Sequence, residues 1–125
     1  EAGMNTYLNG IEEIKKQGGK VLYGGSKIDQ EILKPLGLEG GNYVWPTLVE
    51  SNLDMPIVQE ELFVPITHIL KVSSFEEAVE VNNNTPFGLS SALFTNSMRD
   101  TFNWLGPNGA ECGIINVNTS CRWVY

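Results

Sequence analysis

Apolar residues return at helical spacing near the start of the chain, at Met4, Tyr7, Leu8, Ile11 and Ile14, with Glu12, Glu13, Lys15 and Lys16 on the other face. The i, i+3, i+4, i+7 pattern predicts an amphipathic helix. Gly10 lies inside it. A mid-helix glycine costs about 1 kcal/mol against alanine, so a close packing contact is expected there. Gly18-Gly19 should end the helix, and Lys20 to Tyr23 reads as a short strand closed by Gly24-Gly25. Residues 26–41, punctuated by Pro35, Gly37, Gly40 and Gly41, read as an irregular loop. Asn42 to Val49 reads as a strand whose Pro46 favours an edge or a bulge. Ser51 to Pro56 reads as a turn, and Ile66 to Val72 as a β-prone run entered through Pro65.

In the second half, Ser74-Phe75-Glu76-Glu77 has the form of a capping box. The helix it opens should carry Phe75, Ala78 and Val79 inward and fade at Asn82-Asn83-Asn84. A turn at Thr85 to Gly88 leads to a strand from Leu89 to Thr95. Asn96 or Ser97 should cap a third helix with Met98, Phe102 and Leu105 on one face and Gly106-Pro107 as its stop. Gly113 to Asn118 is the last predicted strand. Helices alternating with short apolar strands imply an α/β fold, a layered sheet with helices packed on it, with largely parallel pairing in the second half.

Composition narrows this picture. The length of 125 residues suits one domain. Charged residues make up 18%, below the roughly 25% of an average soluble domain. That excludes a disordered acidic tail and suggests that some surface is meant to be covered. Net charge is −7, and no basic patch exists beyond Lys15-Lys16. Such a chain is a poor partner for nucleic acid and for an anionic membrane surface. It has no apolar stretch long enough for a transmembrane helix. The start at Glu1-Ala2-Gly3-Met4 lacks a basic region followed by an apolar run, so no signal peptide is expected. The chain does not begin with methionine, as expected of an engineered piece, a processed product or a piece of something longer. Cys112 and Cys121 read as free thiols of a reducing compartment, without zinc-ligand spacing, and no metal site is expected. The expected location is the cytoplasm, with the mitochondrion as the alternative.

Candidate chemistry concentrates in Gln59-Glu60-Glu61-Leu62-Phe63-Val64-Pro65. Adjacent residues of an extended chain point to opposite faces, so Glu60 and Glu61 should not act as a close acid/base pair. Two readings stand: a solvated acidic turn, or one carboxylate offering its two oxygens to a sugar diol. His68 reads as a packed, hydrogen-bonded strand residue. Gly24-Gly25 and Gly40-Gly41 form no phosphate cradle, and no GxSxG elbow occurs. Asn83-Asn84-Thr85 and Asn118-Thr119-Ser120 match glycosylation spacing by chance. Trp45, Trp104 and Trp123 read as core or interface anchors. From the residues alone there is no complete catalytic constellation.

Glu61-Leu62-Phe63-Val64-Pro65 resembles the ExFxP motif of NAD(P)-dependent aldehyde dehydrogenases. Asn83 to Leu89 resembles that family's NN-T-x-(Y/F)-G-L segment. Gly41 to Val49, Phe94-Thr95 and Gly113 to Asn118 follow in register. Trp104 to Gly109, through Cys112-Gly113, is most similar to the antiquitin subgroup, the α-aminoadipic semialdehyde dehydrogenases of lysine breakdown. The resemblance implies that residues 1–118 are part of a catalytic domain, and that 119–125 form a divergent tail. It implies NAD as cofactor, an aldehyde substrate and a homo-oligomeric parent. Glu61 would hold the ribose hydroxyls beside nicotinamide, Phe63 would pack near that ring, and Leu89 would add a further cofactor contact. The parent reaction it implies is thiolate attack on an aldehyde, hydride transfer to NAD and thioester hydrolysis. The family's nucleophilic cysteine, oxyanion-hole asparagine, general-base glutamate and Rossmann-like cofactor domain belong to segments upstream of ExFxP that this chain does not contain, so no catalytic residue is assigned. Two other readings of the residues stand beside it: a non-catalytic fragment that binds a partner subunit, and an acyl-phosphate or acyl-CoA reductase of the same architecture.

Overall fold

The computed structural model describes residues 2–121, and the chain divides into two compact units, residues 1–71 and 72–125. The first opens with helix α1, Ala2–Lys16. Tyr7, Gly10, Ile11 and Ile14 are its buried residues, the stripe that the periodicity marks with Gly10 added. Gly18 ends it in the left-handed region, with φ 95°. Gly19 N–H reaches back to Ile14 O at 2.8 Å and Gly18 N–H to Lys15 O at 3.1 Å, a Schellman closure.

Strand β1 is Lys20–Tyr23, β2 is Thr47–Glu50 and β3 is Ile66–Ile69. They form one sheet in that order, β1 antiparallel and β3 parallel to β2. On β2, Thr47 and Val49 are buried while Leu48 is exposed, the alternation that a half-buried strand requires. Val49 and Ile14 join Met55 and Ile57 in the core of this unit. Fully burying each of these side chains contributes about 1.5–3 kcal/mol.

Above this core lies a polar knot. The buried Tyr7 hydroxyl stands 2.6 Å from Thr47 Oγ1 and 2.9 Å from Trp45 O. Gly25 N–H donates to both hydroxyl oxygens, at 3.1 and 2.8 Å. Helix, loop and strand are thus joined at one point. Gly24 just before it takes φ 76°, and a Cβ there would strike Pro46 O and Thr47, so only glycine fits.

Three boundaries differ from the pattern. The loop over 26–41 contains a short helix α2, Gln30–Leu33, capped by Asp29, and a 3-10 turn, Lys34–Leu36. The predicted strand over 42–49 is broken at Pro46. Before it, Trp45 N–H bonds Ser26 O and Ile28 N–H bonds Tyr43 O, whereas the ladder with β3 starts at Thr47. Proline has no N–H to continue a ladder. The run expected to reach Val72 stops at Ile69, where Ser51 N–H makes the last cross-strand bond before the chain turns away.

The second unit holds α3, Phe75–Asn83; β4, Ser90–Leu93; α4, Met98–Leu105; and β5, Ile114–Val117. β4 and β5 pair in parallel, as expected. Ser74 Oγ caps α3 by accepting from Glu77 N–H, but the Glu77 carboxylate reaches Ser73 N–H and Oγ rather than Ser74. Those bonds hold its pKa below the usual carboxylate value. Phe75, Ala78 and Val79 are half-buried. On α4 the inward residue is Trp104, edge-on to Phe75 at 6.5 Å. Met98, Phe102 and Leu105 do share a face, yet that face is exposed because nothing among the described residues covers it. Trp45, in the first unit, meets Tyr23 edge-on at 6.2 Å, whereas Trp123 lies outside the described residues. Among the described residues no helix is long and apolar enough to cross a membrane.

The knot makes a prediction. Tyr7→Phe should lower the free energy of unfolding by about 1–2 kcal/mol, the cost of stripping a buried hydrogen-bonding hydroxyl. Urea denaturation followed by circular dichroism measures it; an unchanged midpoint would show the knot to be neutral.

Candidate functional site

The segment between the 3-10 turn Pro56–Gln59 and β3 carries the candidate residues. Glu61 is exposed, Leu62 is half-buried against the core, and Phe63 is 88% exposed. Phe63 takes φ 53°, one of two non-glycine residues with positive φ among those described. An aromatic residue in that region is strained. Such strain persists only where surrounding structure fixes it, and it gathers at functional sites. Here the surroundings are definite. Leu62 packs on the core, Thr47 N–H binds Pro65 O at 2.8 Å, and Ile66 N–H binds Val64 O at 2.8 Å.

Two hollows flank the Phe63 ring. One is lined by Glu60, Glu61, Leu62, Val64, Ile66 and His68 together with Phe63 itself. The other is backed by Gly3, Met4 and Tyr7 of α1, with Asn42 and Val44. The Glu61 carboxylate makes no hydrogen bond or ion pair among the described residues. Glu60 and Glu61 therefore do not form a working pair with a shared partner, and Glu61 offers two uncommitted oxygens. His68 is the packed residue expected: Ser51 Oγ lies 2.8 Å from its Nδ1, and burial lowers its pKa from the ordinary 6.5.

The third candidate, Leu89, belongs to the second unit. Its side chain is 74% exposed while its carbonyl accepts from Ile114 N–H at 3.0 Å, extending the β4–β5 ladder by one rung. Cys112 is half-buried with its thiol on Ile114 O, and Cys121 is exposed. No cluster of metal-binding side chains occurs among the described residues.

Sequence reasoning missed two amide clamps. Asn83 donates to Gly109 O and accepts from Glu111 N–H, each at 2.8 Å, tying the end of α3 to the approach to β5. Asn118, at φ 54°, makes two 2.9 Å bonds to the backbone of Thr95. Asparagine tolerates the left-handed region and mimics a strand residue with its side chain. The signals in the sequence were the placement of these asparagines at element ends and inside the segments that carry the family resemblance.

A family model described as aldehyde dehydrogenase family matches residues 1–124. The chain belongs to the aldehyde dehydrogenase family. This aldehyde dehydrogenase segment is 50% identical over 112 residues to aldehyde dehydrogenase family 7 member A1 of Brassica napus, covering 90% of the chain and 21% of that relative. It is 44% identical over 116 residues to α-aminoadipic semialdehyde dehydrogenase of Mus musculus, covering 92% of the chain and 20% of that protein. The resemblance to the antiquitin subgroup is thereby met. Among solved structures, PnpE in complex with nicotinamide adenine dinucleotide superposes with TM-score 0.85 at 32% identity, over 98% of the chain and 24% of PnpE. The chain spans about a fifth of the length of the curated relatives it matches.

His68 sets a pH dependence. Its folded pKa lies below the unfolded value of about 6.5. Between the two values the unfolded chain binds more protons, so stability is full above about pH 6.5 and falls as pH drops toward the folded pKa. Denaturant midpoints between pH 7.5 and 5 should show this fall in the wild-type chain and a flatter profile in His68→Gln. Equal slopes in both would remove His68 as the cause.

Proposed function

We propose that this chain is the cofactor-contacting part of the catalytic domain of an NAD-dependent aldehyde dehydrogenase, over residues 1–118, with 119–125 as a divergent tail. The observation that carries the reading is Phe63, held in a left-handed conformation with its ring exposed. Two residues away stands the uncommitted carboxylate of Glu61. That pair fits a nucleoside whose ribose lies beside a flat ring. A carboxylate accepts from two adjacent hydroxyls, and an aromatic face shields a reacting ring from water. The NAD bound by PnpE supports the choice of nucleotide.

In this reading Glu61 orients the nicotinamide ribose, Phe63 packs against the ring, and the exposed Leu89 adds an apolar contact. NAD, when bound, supplies the hydride acceptor. The parent enzyme oxidises an aldehyde to a carboxylic acid through a cysteine thioester, the nucleophile coming from outside these residues. The mouse relative supports a semialdehyde substrate, α-aminoadipic semialdehyde in its case. This chain by itself then has no dehydrogenase turnover.

Saturation-transfer NMR with NAD⁺ on the 125-residue chain tests the reading. The strongest enhancements should fall on the nicotinamide and its ribose protons. Glu61→Gln should weaken binding about 10- to 100-fold, as expected for losing hydrogen bonds to a charged group, and Phe63→Ala should remove the ring enhancements. Enhancement confined to the adenine end, or full affinity in Glu61→Gln, would refute it. NADH production from a semialdehyde by this chain would refute the separate claim that it lacks turnover.

A further inference from the structure

The contact between α1 and the candidate segment carries a second consequence. Gly10 is buried, and a Cβ at this position would come to 3.0 Å from Leu62 Cδ1 and 3.5 Å from Ile66 Cδ1. Leu62 fills the space that the missing side chain leaves and packs on the core, between the exposed Glu61 and Phe63. The segment is therefore out, in, out, with one inward peg. Beyond the peg, the chain is fixed by the positive φ of Phe63 and by the Thr47–Pro65 hydrogen bond. The depth to which Leu62 enters decides where its two neighbours are held.

We infer that Gly10 and Leu62 are positioning residues for cofactor contact: the absent Cβ of Gly10 sets the depth of Leu62, and Leu62 sets the aim of Glu61 and Phe63. This rests on the cofactor reading above. A separation of 3.0 Å is tighter than ordinary carbon–carbon contact, so with alanine at position 10 the Leu62 side chain must give by a few tenths of an ångström. The helix itself gains from the change, because alanine is the better helix former. Backbone stability and cofactor affinity should therefore move apart, which a purely structural role would not produce.

The test compares Gly10→Ala, Leu62→Val, their combination and Leu62→Ala in the 125-residue chain. Three readouts are needed: amide shifts of residues 61–64 without cofactor, NAD⁺ affinity, and the thermal midpoint. Gly10→Ala should move the 61–64 amides and weaken NAD⁺ binding about fivefold without lowering the midpoint. Adding Leu62→Val, which removes the atom that clashes, should restore both. Leu62→Ala empties the same space instead of overfilling it. It should also weaken NAD⁺ binding, and it decides the matter if Gly10→Ala fails to fold. Unmoved 61–64 amides in Gly10→Ala, with wild-type NAD⁺ binding intact, would overturn the Gly10 role alone. No rescue in the double variant would do the same. No NAD⁺ binding by the wild-type chain would overturn the cofactor reading and this role with it.

Discussion

The buried stripe Tyr7–Gly10–Ile11–Ile14 of α1 is the surface on which the first unit is assembled. Each position meets a different part of the chain. Ile14 joins Val49, Met55 and Ile57 in the core. The Tyr7 hydroxyl gathers Trp45 O, Thr47 Oγ1 and the Gly25 N–H. Gly10 admits Leu62 and Ile66. A helix that packed one residue out of phase would bury Leu8 or Glu12 at these points and take the Tyr7 hydroxyl away from Thr47 Oγ1, Trp45 O and the Gly25 N–H. Unpaired polar groups in such a place cost about 1–3 kcal/mol each, so the phase of α1 is strongly specified.

That constraint reaches the exposed segment through Leu62. Most loop residues relax into favoured backbone regions, but Phe63 does not, and its ring gains no packing in return. The fixed points on either side, Leu62 in the core and Pro65 on Thr47, leave the left-handed turn as the way across. Local strain is thus balanced by burial elsewhere. The two asparagine clamps play the matching part in the second unit, fastening the ends of α3 and β5 by side-chain amides where the ladder runs out.

Much of this was legible in the sequence, and the failures have physical causes. The α1 stripe, the Gly18 stop, the Ser74 cap and the parallel β4–β5 pair follow from period, glycine and capping chemistry. The strand expected over 42–49 is shorter because Pro46, read as marking an edge or a bulge, instead ends the ladder, which starts at Thr47. Met98, Phe102 and Leu105 show the limit of amphipathic patterns: the stripe is there, but a stripe does not reveal whether anything covers it. The low charged fraction pointed the same way. Glu61 and Phe63 are candidates through their motif, whereas the backbone strain at Phe63 and the Gly10–Leu62 contact exist only in three dimensions.

A crystal structure of this chain grown with NAD⁺ would show whether the segment around Phe63 holds the cofactor. The expected complex has both ribose hydroxyls of the nicotinamide half on the Glu61 carboxylate, the Phe63 ring beside the nicotinamide, and Phe63 still in the left-handed region. NAD⁺ bound away from this segment, or Phe63 relaxed to negative φ in the complex, would contradict it.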